Sequence, residues 1–241
     1  MNEKLCLITG GGSGIGRATA IKFAQNKINT IIVGRRNDAL EETVSLADEN
    51  SDFLKPVKAD LSTENGINDL FNYVKKNFDN NVNILVNNAG SSSKIRSVAH
   101  IPKNQWDEVI NINLNSVYLL CQKFLNDMIK NKDGTIITIS SMAALKPGLL
   151  GGAPYGAAKA GVTNLMGAIN SEFSNDGIRA TAIMPGEVDT PILNNRAKIP
   201  NIDERETMMK PEDLAEIVFL TANLNNRTNI ETIVVLSLIH I

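Results

Sequence analysis

Short runs of Ile, Leu and Val recur along the chain, separated by longer segments whose apolar residues fall at helical spacing. The runs Leu5–Thr9, Thr30–Val33, Phe53–Val57, Ile84–Val86, Thr135–Ile139, Arg179–Ile183 and Thr232–Leu236 contain few polar alternations. That pattern fits strands buried on both faces of a sheet. Helical periodicity covers 14–26, 38–49, 64–77, 103–131, 154–173 and 211–223. Alternation of strand and helix predicts βαβ units, right-handed crossovers and a parallel sheet, hence an α/β fold. No linker, repeat or low-complexity run divides the chain, so residues 1–241 read as a single domain.

Composition narrows the function classes. Hydrophobic residues make up 43% and charged residues 21%, ordinary for a protein with a substantial core. A net charge of -2 gives no electrostatic case for nucleic acid or a membrane surface. No apolar run reaches the length of a membrane span, and Met1-Asn2-Glu3-Lys4 leads at once into the first strand, so no signal peptide is expected and the cytoplasm is the expected location. Cys6 and Cys121 read as buried free thiols. His100 lies in a loop-like stretch and His240 is next to last, so neither metal nor histidine-triad chemistry is expected.

The first strand runs into Thr9-Gly10-Gly11-Gly12-Ser13-Gly14-Ile15-Gly16, and Arg17 continues into a helix. Glycines allow a sharp turn and close approach of the backbone to a pyrophosphate, which the positive end of the helix would hold. A plain glycine-rich turn is the alternative, but the position between first strand and first helix is where the phosphate mechanism needs it.

This T-G-x-x-x-G-x-G spacing resembles the short-chain dehydrogenase/reductase family, and further matches extend the resemblance from Leu5 to about Val235. Asp60-Leu61 follows the third strand, Asn87-Asn88-Ala89-Gly90 ends the fourth, and Asn113 lies in the following helix. Ser140-Ser141 ends the fifth strand, Tyr155-Gly156-Ala157-Ala158-Lys159 matches Y-x-x-x-K, and Pro185-Gly186-Glu187-Val188-Asp189-Thr190 follows the sixth. The resemblance implies a Rossmann-type doubly wound parallel sheet of about seven strands with helices on both faces. It implies a catalytic set of Asn113, Ser141, Tyr155 and Lys159. It further implies cofactor contacts from Gly10, Gly12, Ser13, Gly14, Ile15, Gly16, Asp60, Leu61, Asn88, Ala89, Gly90, Pro185, Gly186, Val188 and Thr190, as well as from Tyr155 and Lys159.

Two departures stand out. Tyr155 follows Ser141 by one position more than the family spacing, which places the extra residue in the loop 146–154 and leaves Ser140 as the alternative serine. The last six residues, Leu236-Ser237-Leu238-Ile239-His240-Ile241, read like a translated sequencing adapter, a non-native tail of which no function is expected.

Tyr155 and Lys159, spaced i, i+4, share one helix face. An ammonium beside a phenol favours the phenolate, and oxidised nicotinamide adds positive charge, so Tyr155 is expected to act as general acid/base. Ser141 would steady charge on the substrate oxygen. Lys159 would also bind the nicotinamide ribose, and Asn113 would hold a water leading from Lys159, as the resemblance implies.

The second strand ends in Gly34-Arg35-Arg36, where an NAD enzyme commonly places an acidic residue for the ribose hydroxyls. Guanidinium groups suit a 2′-phosphate, so NADP(H) is expected, with NAD as the alternative. The arginines pointing to water or stacking on adenine is the bland reading, and Ser13 supplies no charge before Gly14.

The resemblance implies that specificity comes from the loops 91–101, 142–154 and 191–210. Their Met142, Ala143, Ala144, Leu145, Leu149, Leu150, Ile192, Leu193, Met208 and Met209 favour a modest apolar substrate, unless they pack a lid or interface. The reading is therefore an NADP(H)-dependent oxidoreductase acting on a small carbonyl or secondary alcohol. A 3-oxoacyl-carrier-protein reductase and a non-catalytic dinucleotide-binding regulatory module are the alternatives. The apolar surplus on 155–173 leads us to expect a homo-oligomer, a tetramer or a dimer.

Overall fold

The computed structural model describes residues 4–78, 81–196 and 198–239; the expectations placed on Met1 to Glu3, His240 and Ile241 lie outside the described residues. Seven strands, β1 (Leu5–Thr9), β2 (Asn29–Gly34), β3 (Leu54–Lys58), β4 (Val82–Asn87), β5 (Gly134–Ile139), β6 (Ile178–Pro185) and β7 (Thr232–Val235), form one parallel sheet in the order β3-β2-β1-β4-β5-β6-β7.

The pleat explains why the strands read as continuous apolar runs. Leu5, Leu7, Ile31, Val33, Leu85 and Ile136 point to one face, against α3 (Glu64–Asn77), α5 (Ser116–Asn131) and α6 (Ala153–Phe173). Cys6, Ile8, Ile32, Ile84, Val86 and Ile137 point to the other, against α1 (Gly14–Gln25), α2 (Asn37–Leu46) and α8 (Pro211–Ala222). This is the expected Rossmann-type arrangement with helices on both faces. Strand order reverses between β1 and β4, which opens a crevice at their carboxyl ends.

Three local departures from expectation have physical causes. The helix expected over 38–49 stops at Leu46, because Asp48 takes a left-handed φ of 48° and a 3-10 turn, Asp48–Phe53, follows. Phe53 therefore closes that turn and β3 begins one residue later. The helix expected over 103–131 is unbroken along the chain but divided: α4 (Lys103–Ile110) passes through a π turn, Asn111–Asn115, into α5. A short helix not anticipated, α7 (Ile202–Glu206), lies after β6, closed by a capping box between Asn201 and Glu204.

Both cysteines are free and buried; burial pushes the Cys6 thiol up and the Cys121 thiol to about 12. Among the described residues no helix is long and apolar enough to cross a membrane, and no group of three or more His, Cys, Asp or Glu is placed to hold a metal.

Candidate active site

The glycine loop is tight because backbone passes where a side chain would sit. Gly10 has φ 68°, and a Cβ there would come 2.7 Å from the Asn88 amide nitrogen. A Cβ on Gly16 would come 2.3 Å from the Gly10 carbonyl oxygen, so the loop folds back directly on α1. Ser13 is extended and its hydroxyl caps none of the first-turn N–H groups. The Thr9 hydroxyl accepts from the N–H of Asn88 at 3.0 Å and of Ala89 at 2.9 Å, and the Asn88 amide donates to the Thr9 carbonyl at 2.9 Å. The Asn-Asn-Ala-Gly segment is thereby fixed beside the loop.

Two adjoining clefts result. One of about 450 Å³ is lined by Gly10, Ser13, Gly14, Ile15, Asn88, Ala89, Gly90, Asn113, Ser140, Ser141, Tyr155, Lys159, Pro185, Gly186, Val188 and Thr190. The other, about 1110 Å³, is lined by Gly10, Gly12, Ser13, Arg35, Arg36, Leu61, Ala89 and Gly90, among others. Two residues expected at the cofactor line neither cleft. Gly16 is buried under the loop, where its contribution is the missing Cβ. Asp60 turns its carboxylate onto the N–H of Ser62 at 3.0 Å and its hydroxyl at 2.7 Å, bonds that hold the carboxyl below its usual range with help from Arg35. A cradle that side chains would fill, an uncapped helix start and a flanking pair of exposed arginines fit a dinucleotide lying across both clefts.

The four residues expected to carry the chemistry converge on the smaller cleft. The π turn places Asn113 inward and fully buried; its amide donates to the carbonyls of Ser91 and Val109, both at 2.8 Å, and its Oδ1 has no partner. π turns inside α-helices recur at functional sites. A Cβ on Gly90 would lie 2.6 Å from that oxygen and 3.7 Å from Lys159 Nζ, which sets both beside Gly90. Lys159 Nζ donates to the Ile139 carbonyl at 2.7 Å and lies 5.5 Å from the Tyr155 ring centre. The Ser141 hydroxyl lines the cleft with Tyr155, whose pKa it lowers, and accepts from the Ala143 N–H at 3.1 Å. Ser140 instead sends its hydroxyl inward to the Lys159 carbonyl at 3.0 Å and the Thr163 hydroxyl at 2.7 Å.

One electrostatic expectation is corrected. The Tyr155 phenol is held above its usual pKa, because burial outweighs the lowering by Ser141, Arg196 and Arg96. Lys159 does not drive the phenol down in this state; its own pKa is brought from 10.5 to about 8 by burial.

Arg96, in the loop after β4, and Arg196, ending the 3-10 turn Pro191–Asn195 after β6, also line the smaller cleft, with Glu187. Sequence reading singled out their loops but not these side chains, and a lone arginine in a loop carries no signal of its own. Of the apolar residues expected to favour an apolar substrate, Met208 and Met209 are buried as packing, whereas Met142, Ala143, Leu150, Ile192 and the mostly buried Leu193 line the cleft. The segment after β6 is anchored by a bridge between Val188 and Met209.

Residues 4–200 match the short chain dehydrogenase family. Over 232 residues the chain is 31% identical to the 3-oxoacyl-(acyl-carrier-protein) reductase FabG of Thermotoga maritima, with 92% of each chain covered. It superposes on a metagenomic short-chain oxidoreductase in complex with NADP with a TM-score of 0.84 and 26% identity, over 97% of this chain and 96% of that one. It superposes on the 3-ketoacyl-(acyl-carrier-protein) reductase of Brucella melitensis complexed with NADH with a TM-score of 0.86 and 27% identity, over the same shares.

Proposed function

The chain belongs to the short-chain dehydrogenase/reductase family and is an oxidoreductase; from that premise we propose that it is NADP(H)-dependent, acts on a small carbonyl or secondary alcohol, and uses Tyr155 as general acid/base. The observation that carries this reading is the convergence of Asn113, Ser141, Tyr155 and Lys159 on one cleft joined to the glycine loop.

When bound, the dinucleotide supplies the hydride donor or acceptor. Gly10, Gly12, Ser13, Gly14 and Ile15 would hold its phosphates, and Pro185, Gly186, Val188 and Thr190 would hold its nicotinamide half. Tyr155 keeps its proton at neutral pH, which suits donation from the phenol oxygen to the carbonyl oxygen during reduction. Ser141 hydrogen-bonds the same substrate oxygen as charge develops. Lys159, its pKa lowered to about 8 by burial, would hold the ribose and exchange a proton through a water bound at the unpaired Asn113 oxygen. Arg35 and Arg36 support NADP(H) because they stand exposed at the larger cleft with no neighbouring acid in ion-pair contact among the described residues. NAD is the alternative, and the Brucella neighbour holds NADH.

A second reading, a 3-oxoacyl-carrier-protein reductase, draws support from the Thermotoga relative and the Brucella neighbour. Against it stands Ser91-Ser92-Ser93 after the Asn-Asn-Ala-Gly segment. A non-catalytic module leaves the four converging residues without a reason. We further propose one domain over 1–241, a cytoplasmic location, and a tetramer or dimer formed on the outer face of α6, where Ala157, Ala160, Gly167 and Ala168 are exposed. NADPH consumption against ketones, aldehydes and oxoacyl thioesters tests the reading. Turnover of small carbonyls supports it, turnover of thioesters alone supports the second, and silence from a protein that binds NADPH removes both.

A further inference from the structure

The smaller cleft holds more positive charge than the hydride chemistry uses. Arg96 and Arg196 both line it together with Tyr155, and both lower the pKa of the phenol. Arg196 is neutralised by an ion pair with Glu187, which also lines the cleft. Arg96 has no carboxylate within ion-pair distance among the described residues. Its Nε donates to the Ser93 carbonyl at 3.2 Å, which leaves the two terminal nitrogens of the fork.

Arg96 is also held in place. Its carbonyl accepts from the Ala153 N–H at 3.1 Å, at the first turn of the helix that carries Tyr155. Its stem packs on Gly152, which has φ 84° and where a Cβ would fall 2.8 Å from Arg96 Cβ. Its loop is pinned by Ser93, whose hydroxyl bonds Gln105 and accepts from the Ile95 N–H at 3.1 Å. A partly buried, unpaired and immobilised guanidinium beside the reacting phenol is arranged to receive an anionic oxygen pair.

We infer that the substrate is an oxo acid or hydroxy acid whose carboxylate binds Arg96, with the Arg196–Glu187 pair at its flank. The planar fork of Arg96 matches the oxygen pair of a carboxylate; Lys146, which also lines the cleft with no ion pair among the described residues, is exposed. In reduction the carbonyl carbon gains the hydride, the C=O π pair takes the Tyr155 proton to become O–H, and the carboxylate is unchanged. The inference rests on the oxidoreductase reading and narrows its substrate class.

The test is kcat/KM with NADPH for matched pairs: short 2-, 3- and 4-oxo acids against their methyl esters, and dihydroxyacetone phosphate against dihydroxyacetone. We expect at least one acid to exceed its ester by about 10- to 100-fold in the unaltered enzyme. In Arg96→Met that ratio falls toward one, and Arg96→Lys keeps part of it. Esters equal to or better than acids in every pair overturn the inference without any variant. So does an acid preference that survives Arg96→Met, or a larger preference for the phosphate. If neutral carbonyls turn over and acids do not, the anion site is wrong and the oxidoreductase reading stands; if nothing turns over, that reading falls and takes this one with it.

Discussion

Ser140 and Ser141 are consecutive just past the end of β5, yet the first hydroxyl is locked inside on the Lys159 carbonyl and Thr163, and the second lines the cleft with Tyr155. The backbone stays extended past β5 at Ser141, and extended backbone sends neighbouring side chains to opposite sides. Ser141→Ala should therefore cost turnover by about 10²-fold, from the loss of a donor to the developing oxyanion, with little change in Tm. Ser140→Ala should instead lower stability by about 1–2 kcal/mol, since a buried bonded hydroxyl is lost. Thermal melts and initial rates on the two variants separate the roles, and the reverse pattern would make Ser140 the catalytic serine.

Arg35→Ala/Arg36→Ala should weaken NADPH by about 10- to 100-fold, with NADH changed by no more than a few-fold, if the two guanidiniums serve a 2′-phosphate. Fluorescence titration of each reduced cofactor reads this directly. Equal losses would return the arginines to a general surface role.

Gly16→Ala should be severe although residue 16 lines no cleft. Its Cβ would meet the Gly10 carbonyl at 2.3 Å, and neither backbone segment has room to yield. We expect a loss of about 2–4 kcal/mol, or a Tm drop on the order of 10 °C. An unchanged melt would show that the loop can open to admit a side chain at residue 16.

Much of this was readable from the chain. The strands were legible because Ile, Leu and Val runs carry both faces of a parallel sheet, and the glycine loop because its position between β1 and α1 is fixed by that order. The π turn at Asn113 was not, since the apolar spacing of 103–131 passes through it unbroken. Helix α7 was hidden in a polar segment too short to show periodicity. Arg96 and Arg196 lie 100 positions apart, and only the fold brings them to one phenol. The upward shift of Tyr155 was likewise illegible, because desolvation depends on neighbours from distant segments and reverses what the i, i+4 lysine alone suggests.

Lys159 makes stability depend on pH in a defined direction. It is 4% exposed, and its pKa falls from 10.5 to about 8 on folding, so between those values the unfolded chain binds more protons than the folded one. The penalty for the buried ammonium is full below pH 8 and fades as pH rises toward 10.5. Lys159→Met should stabilise the fold at pH 7 by about 1–2 kcal/mol while abolishing turnover, and the gain should shrink toward pH 10. Urea melts of both proteins across that range check it; the difference removes the contribution of the buried thiols. A gain that grows with pH would contradict the assignment.

The central claim is that the Tyr155 phenol moves the proton. Tyr155→Phe keeps the ring and its packing on α6 and removes only the hydroxyl. With the best substrate of the carbonyl panel, NADPH affinity and kcat are measured on the same preparation. The expected result is a dissociation constant within a few-fold of the unaltered enzyme and a kcat reduced by about 10²-fold or more. A kcat close to that of the unaltered enzyme, with cofactor bound, would contradict it.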